Sequence, residues 1–344
     1  MAGEYTPKTC HVYAQSVIGV YFDGHRAVNP PQRERVLMRS RGPAASRNGP
    51  CSRELDDVVF EVGGRTRMAI NFENRAVAYL DILGFSAFVK QAERPGTEEQ
   101  RQLGELEETI RSEIRGDGFH SRLKPTCTFV SDSIICSARV GDGGCDGLVG
   151  VTIKAIQIAH RLLHMGFLLR GGIAIGPVSH DSHNIYGSGY MDAHATEQKA
   201  RDPKVLLAES AADLFERAPD CGALSIFLKE GDKWVVNTLE DGHESYTGVS
   251  GTVAQTALFT GYRQTIVRNL EQHPLGSDVR GKWEWMAGFF NHWARRYGNT
   301  SGVEIISLPM PPLRLEAGMP LSMDAGWMDK FASARCRVVI KNPT

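Results

Sequence analysis

Two aspartates and an arginine stand out as the residues with the types and settings for chemistry. Asp81 ends a short apolar run, Tyr79-Leu80-Asp81-Ile82-Leu83-Gly84-Phe85-Ser86. A carboxylate leaving a buried strand is costly unless something compensates it, and a divalent cation is a common compensator. The chain then turns at Gly84, and a helix starting near Phe85 would aim backbone N–H groups at phosphate oxygens. Asp132 lies at a polar tip, Ser131-Asp132-Ser133, between two strand-like runs. If that tip folds beside the first strand, both carboxylates converge, which suits two ions ~3.5–4 Å apart. Taken singly, Asp81 reads as well as a helix cap and Asp132 as a turn residue; their joint context favours a site. Arg170, in Leu169-Arg170-Gly171-Gly172-Ile173, offers a planar fork for phosphate that a lysine would not reproduce. A structural ion pair is its other reading.

The elements that must position these residues follow from hydrophobic periodicity. Ala76 to Leu80 is apolar and short enough for a buried strand, and the Glu-rich stretch Thr97 to Arg115 reads as an exposed helix. Thr126 to Ser137 reads as two strands meeting at the Ser131-Asp132-Ser133 tip. Ile153, Ile156, Ala159 and Leu163 recur at helical spacing between Val149 and Phe167, and a strand follows over Phe167 to Ile175. A further helix over about 189–200 stops before Pro203, whose ring cannot continue it, and Lys204 to Ala208 gives another strand. The order β-α-β-β-α-β predicts an α+β fold of ferredoxin-like topology, with helices covering one face of an antiparallel sheet.

Composition sets the wider limits. Hydrophobic residues make up 42% and charged residues 23% of 344, ordinary for a globular protein of one or two domains. The 39 basic residues nearly balance 40 acidic ones, so nucleic acid, whose binding needs a positive surplus, is not an expected partner. No run of apolar residues is long enough for a membrane span, no signal peptide is apparent, and the scattered cysteines read as reduced thiols. A cytoplasmic protein without membrane attachment is expected. Three zones are drawn: residues 1–70, a basic and largely irregular segment; 71–240, the alternating strands and helices that carry Asp81, Asp132 and Arg170; and 241–344, a helical C-terminal extension. From Gly24 to Arg53 the first zone has seven arginines against the single acid Glu34, which reads as a flexible leader, less well as a basic arm. Translation starting at Met68 is another reading. In the third zone, the aromatic-rich stretch Lys282 to Asn291 reads as a packed anchor.

The motifs carry a resemblance. Tyr79 to Ser86 resembles the first metal motif of the class III nucleotidyl cyclases. Ser131-Asp132-Ser133 falls where that family has its second metal aspartate, and Leu169 to Gly176 resembles the strand whose arginine contacts the triphosphate. The wording of these motifs, and the spacing Gly187, Tyr190, Ala193, Glu197, Ala200, Pro203, resemble the bacterial pyrimidine (uridylate or cytidylate) cyclases of Pycsar anti-phage defence. The match covers about 74–210 firmly and 280–291 loosely.

The resemblance implies cyclisation of a nucleoside triphosphate by a homodimer, with Mn²⁺ or Mg²⁺, two ions per site. Asp81, Asp132 and the Ile82 carbonyl would hold the ions, Gly84 to Ser86 would cradle phosphate with Phe85 near the nucleotide, and Arg170 would contact the phosphates. It also implies UTP as substrate, cyclic UMP as a second messenger, and a separate effector protein that reads it. Purine cyclases commonly place Lys or Glu four residues before the second metal aspartate; here that residue is Thr128. The second base-reading position is Asn184. Both can donate and accept, so both could read a pyrimidine edge. The family's usual Asn and Arg for transition-state charge fall at Met191 and Ala195, with Lys199 or Arg201 as conceivable substitutes. Cytidylate cyclase is the nearest alternative, then adenylate or guanylate cyclase; from another class, a catalytically silent nucleotide-binding module. His160 and His164 read as ordinary helix residues, His180, Asp181 and His183 as a solvated polar loop, and Cys127 and Cys136 as small core residues.

Overall fold

Strand β3 (Glu73–Leu83) is apolar at nearly every position from Ala76 to Leu83, and only a strand covered on both faces can bury such a run. In the computed structural model it lies at the middle of the main sheet. The structure describes residues 59–62, 65–68, 70–115, 125–141, 145–218, 225–241, 244–301, 303–308 and 313–317. The basic stretch from Gly24 to Arg53 lies outside these residues. Just after it, where irregular chain is expected, β1 (Val59–Val62) and β2 (Arg65–Met68) pair as an antiparallel hairpin. Its sequence has a Gly-Gly step between two strand-like runs, a hairpin signal that the reading of this zone by charge alone passes over.

After β3 come α1 (Phe85–Ala92), α2 (Glu98–Arg115), the hairpin β4 (Thr126–Val130) and β5 (Ser133–Arg139), α3 (Asp146–His164) and β6 (Leu168–His180). Strands lie in the order β6-β3-β5-β4, each antiparallel to its neighbours. This is the ferredoxin-like arrangement that the element order predicts. Beyond β6 the sheet continues through β8 (Val205–Leu207), which is parallel to β6, then β10 (Lys233–Val236), β9 (Phe227–Glu230) and β11 (Glu316–Ala317). The short β7 (Ile185–Tyr186) pairs with the end of β6.

The side chains of β3 alternate between two cores. Ala76, Ala78, Leu80 and Ile82 face α2, α3 and α5 (Glu209–Arg217), packing with Leu106, Ile110, Leu148, Ile156 and Phe215. On the other face Val77, Ile135, Ala174 and Val178 meet Ala193 of α4 (Ser188–Lys199). The expectation that helices cover one face is therefore corrected: both faces carry them, because Val77 and Tyr79 give the odd side of β3 an apolar patch of its own. α7 (Thr252–Gln272) and α8 (Asp278–Ser301) extend the second layer. Phe259, Tyr262, Trp283, Met286, Phe290 and Trp293 pack on Leu206, Leu228 and Val235 of the outer strands, and Tyr262 reaches round to His160 of α3. The aromatic-rich stretch is thus a packed anchor, as expected. Cys127 and Cys136 are cross-strand neighbours, their sulfurs 3.0 Å apart. Cys145 is disulfide-bonded, so the expectation of reduced thiols throughout is not met. Among the described residues no helix is long and apolar enough to cross a membrane.

The seat of α4 depends on Gly172. A Cβ there would lie 2.2 Å from the Ala193 carbonyl oxygen and 2.5 Å from the Glu197 nitrogen, both backbone atoms that have no freedom to swing aside. Gly172→Ala is expected to lower stability by about 1–3 kcal/mol, as overpacking does, and urea unfolding followed by circular dichroism measures it. An unchanged midpoint would show that α4 moves off β6 without cost.

Candidate active site

The site lies where β3 ends. Asp81 is directly opposite Ser133 of β5 on one side and Arg170 of β6 on the other. The Ile82 N–H donates to the Asp132 carbonyl at 3.0 Å, which ties the hairpin tip to the end of β3. The two aspartates are close enough for the charge of Asp132 to act on Asp81. The tip is a two-residue turn in which Ser131 has φ +58°, the one positive φ outside glycine among the described residues. Serine lacks glycine's freedom there, and such strain is tolerated where the surrounding ladder holds it in place. After Leu83 the chain passes through Gly84, φ +81°, and α1 begins with no side-chain cap on its N-terminus. The first N–H groups of α1 are therefore left for water or a ligand. Ser86 is exposed beside them. Phe85 buries its ring in the core on the α3 side, because the first turn of α1 points that position inward. Ile82 likewise gives its side chain to the core.

Arg170 is held between two carboxylates. Its Nη2 donates to Asp81 Oδ2 at 3.0 Å and lies 2.5 Å from Glu197 Oε1 of α4. The second contact is a short, charge-assisted ion pair, and Arg170 Nε is buried without a hydrogen-bond partner. Burial pushes both Asp81 and Glu197 above the ordinary carboxylate range, and Arg170 only partly opposes it. Each is raised further by a second acid: Asp81 by Asp132, and Glu197 by Asp81. The cluster therefore has more negative charge than one guanidinium neutralises. Tyr79, two residues before Asp81 on the same face, hydrogen-bonds with the Ser133 hydroxyl at 2.8 Å and packs against His194 and Tyr190 of α4.

Thr128 meets His180 elsewhere on this face, and Asn184 lies in the turn that follows His180. The His180 Nε2 is 2.9 Å from Thr128 Oγ1, and its Nδ1 is 2.8 Å from Ser137 Oγ. Arg75 Nε donates to the same Ser137 oxygen at 2.9 Å, and Arg75 Nη2 donates to Thr126 Oγ1 at 3.2 Å. Burial and the Arg75 charge push the His180 pKa down to about 4. His180 is thus no part of a solvated loop, because the end of β6 folds its ring against β4 and β5. The following turn is the polar loop expected there. Asp181 Oδ1 accepts from the His183 and Asn184 N–H groups, and the Asn184 side chain is exposed. Met191 (61% exposed) and Ala195 lie on the outer side of α4. Glu197, Tyr79, Ser133, Arg75, Ser137 and His180 are polar residues at these two places whose contacts the motifs do not announce. Period-2 alternation on β3 and β6 is the signal that could have placed Tyr79 and His180 there.

Among the described residues no three or more histidine, cysteine or acidic side chains are gathered to hold an ion unaided. Asp81 and Asp132 nevertheless fit a hard divalent cation, which commonly takes one or two carboxylates and fills its other positions with water and phosphate. The surplus of acid over Arg170 and the pairing of Asp81 with Arg170 suit an ion that would take over the carboxylate and release the guanidinium.

No protein-family model and no curated protein matches the chain. Several solved structures are similar to it. One is the catalytic core of a rhodopsin-guanylyl cyclase with converted specificity in complex with ATPαS, at 15% identity over 48% of this chain and 96% of that one, TM-score 0.35. A second is an adenylyl cyclase from P. aeruginosa, at 13% identity over 51% and 97%, TM-score 0.36. A third is an adenylate/guanylate cyclase/hydrolase from Silicibacter pomeroyi, at 13% identity over 48% and 97%, TM-score 0.34.

Mn²⁺ should stabilise the native protein through this cluster. At ~100 times its dissociation constant a ligand adds about 2.7 kcal/mol, or a rise of several degrees in melting temperature. Asp81→Asn should abolish that rise while the protein without metal melts no lower than wild type, since a desolvated charge has been removed. Differential scanning fluorimetry with and without Mn²⁺ reads both effects.

Proposed function

We propose that this protein is a nucleotidyl cyclase that converts UTP to 3′,5′-cyclic UMP and pyrophosphate. The observation that carries the proposal is the meeting of Asp81, Asp132, Arg170 and the uncapped start of α1 at one end of the sheet. In the reaction the ribose 3′-oxygen bonds to the α-phosphorus in line, the bond from that phosphorus to the bridging β-oxygen breaks, and the hydroxyl proton is lost to water. Divalent ions, Mn²⁺ or Mg²⁺, would lower the pKa of the attacking hydroxyl and neutralise phosphate charge. Asp81 and Asp132 would hold them. Arg170 would turn its fork from Asp81 to the phosphate oxygens, and the α1 N–H groups from Gly84 to Ser86 would hold the leaving pyrophosphate. Thr128 and Asn184 would read the base. In this reading residues 71–240 form the catalytic domain and 241–344 an extension packed on it. The product is a second messenger for a separate effector in anti-phage defence.

The working unit in this reading is a homodimer, one subunit giving the metal end and the other the base contacts. Large apolar side chains are exposed around the α4 face: Met191, Val130 (60%) and Tyr186 (49%). Exposed apolar groups that recur around one face mark an interaction surface. A second reading is a silent module that binds a nucleotide without turnover. It is favoured by Met191 and Ala195, which put no hydrogen-bond donor at those two positions of α4.

Purified protein incubated separately with ATP, GTP, CTP and UTP in Mn²⁺ should yield cyclic UMP by mass spectrometry. Cyclic CMP or a purine product would keep the reaction and discard the base assignment; no pyrophosphate from any of the four would favour the silent module. Arg170→Lys should lower kcat at least about a hundredfold, as loss of a transition-state donor does. Met191→Glu should turn a dimer into a monomer in analytical ultracentrifugation, with activity lost in parallel. A monomeric variant that stays active would remove the shared site.

A further inference from the structure

Ser137 is fully buried, and its hydroxyl oxygen has two neighbours, Arg75 Nε and His180 Nδ1. Arginine has no acceptor, so Arg75 must donate and the Ser137 oxygen must accept. A buried hydroxyl proton without an acceptor is costly. The one acceptor within reach of the Ser137 proton is His180 Nδ1, which must then carry no hydrogen of its own. In the neutral ring the proton accordingly sits on Nε2, and Nε2 donates to Thr128 Oγ1 at 2.9 Å. The ring is kept neutral by burial and by Arg75. With its oxygen accepting from His180, half-buried Thr128 has its own hydroxyl proton left to give.

We propose that Arg75, Ser137 and His180 form a one-way hydrogen-bond relay that fixes the Thr128 hydroxyl as a donor toward the nucleotide base, so that the site takes a carbonyl edge and rejects an amino edge. The inference rests on the reading that Thr128 faces the base, and it supplies from the structure what the motifs leave open, uracil over cytosine. The two pyrimidines differ at C4, where uracil has a carbonyl oxygen and cytosine an amino group. A threonine free to rotate would serve either one. Held as a donor, it pairs with uracil and confronts cytosine with a second donor, which leaves both groups unsatisfied.

Two measurements on the full chain decide it. In protein labelled with ¹⁵N-histidine, long-range proton–nitrogen correlations should show His180 with Nδ1 bare and Nε2 protonated, the signals assigned by their loss in His180→Asn. The opposite tautomer, or a doubly protonated ring at neutral pH, overturns the relay whatever the protein's activity. Calorimetric binding of UTP and CTP, which needs no turnover, should favour UTP at least about tenfold. Ser137→Ala lets the imidazole exchange tautomers, so it should bring that ratio close to one; a merely structural serine would weaken both nucleotides alike. The expected tautomer with equal binding of UTP and CTP would also overturn the proposal, by removing Thr128 from the base site, and would leave the metal end of the proposed function standing.

Discussion

Arg170 stands between Asp81 and Glu197, and this end of the sheet is organised around that one guanidinium. The two acids come from different layers, Asp81 from the central strand and Glu197 from the helix lying over it. They meet only because α4 lies directly on the β6 backbone, which in turn requires hydrogen instead of a side chain at Gly172. The second glycine after the arginine is thus as much a part of the site as the arginine. Its cost in backbone entropy is offset by a helix contact that no larger residue permits.

That arrangement leaves a deliberate imbalance. Asp81, Asp132 and Glu197 crowd one end of the sheet against Arg170, and burial makes the charge of Asp81 and Glu197 expensive. A pair made for stability alone would match charge for charge or be replaced by apolar residues of the same size. Here acid stays in excess even when Lys282 is counted beside Arg170, and the strained turn at Ser131 holds one of the acids at its place. Both features are liabilities for folding, and both are explained if the end of the sheet is kept ready for a charged ligand.

The register of β3 decides which residues share the site, since a slip by one position would send every side chain to the opposite face. This is why much of the site can be read from the chain. Asp81, the Asp132 tip and Arg170 stand out as polar residues in runs whose apolar pattern already fixes strand, hairpin and strand in ferredoxin-like order. The second helical layer is harder to read, because small residues such as Ala76, Ala78 and Ala174 give a weak signal for burial on either face. Glu197 is invisible for another reason: on an otherwise unremarkable helix nothing distinguishes an acid that points to solvent from one that meets an arginine 27 residues earlier. His180 is misread from its neighbours. Asp181 and His183 do form an exposed turn, and only the three-dimensional path of β6 turns the preceding ring inward.

The C-terminal helices are coupled to the same end of the sheet by packing and by charge. Trp283 and Met286 share a core with Leu168 at the start of β6, and partly buried Leu83 packs against it just after Ile82. Trp285 lies under the ammonium of Lys204, whose carbonyl, just before β8, accepts from the N–H of Gly171 beside Arg170. Anchored this way, α8 brings Lys282 near enough for its charge to oppose the rise of Asp81's pKa. The long aromatic side chains therefore do more than close a hydrophobic layer. They set the position of a cation on a helix outside the ferredoxin-like unit, so that the electrostatics of Asp81 depend on residues about two hundred positions further along the chain.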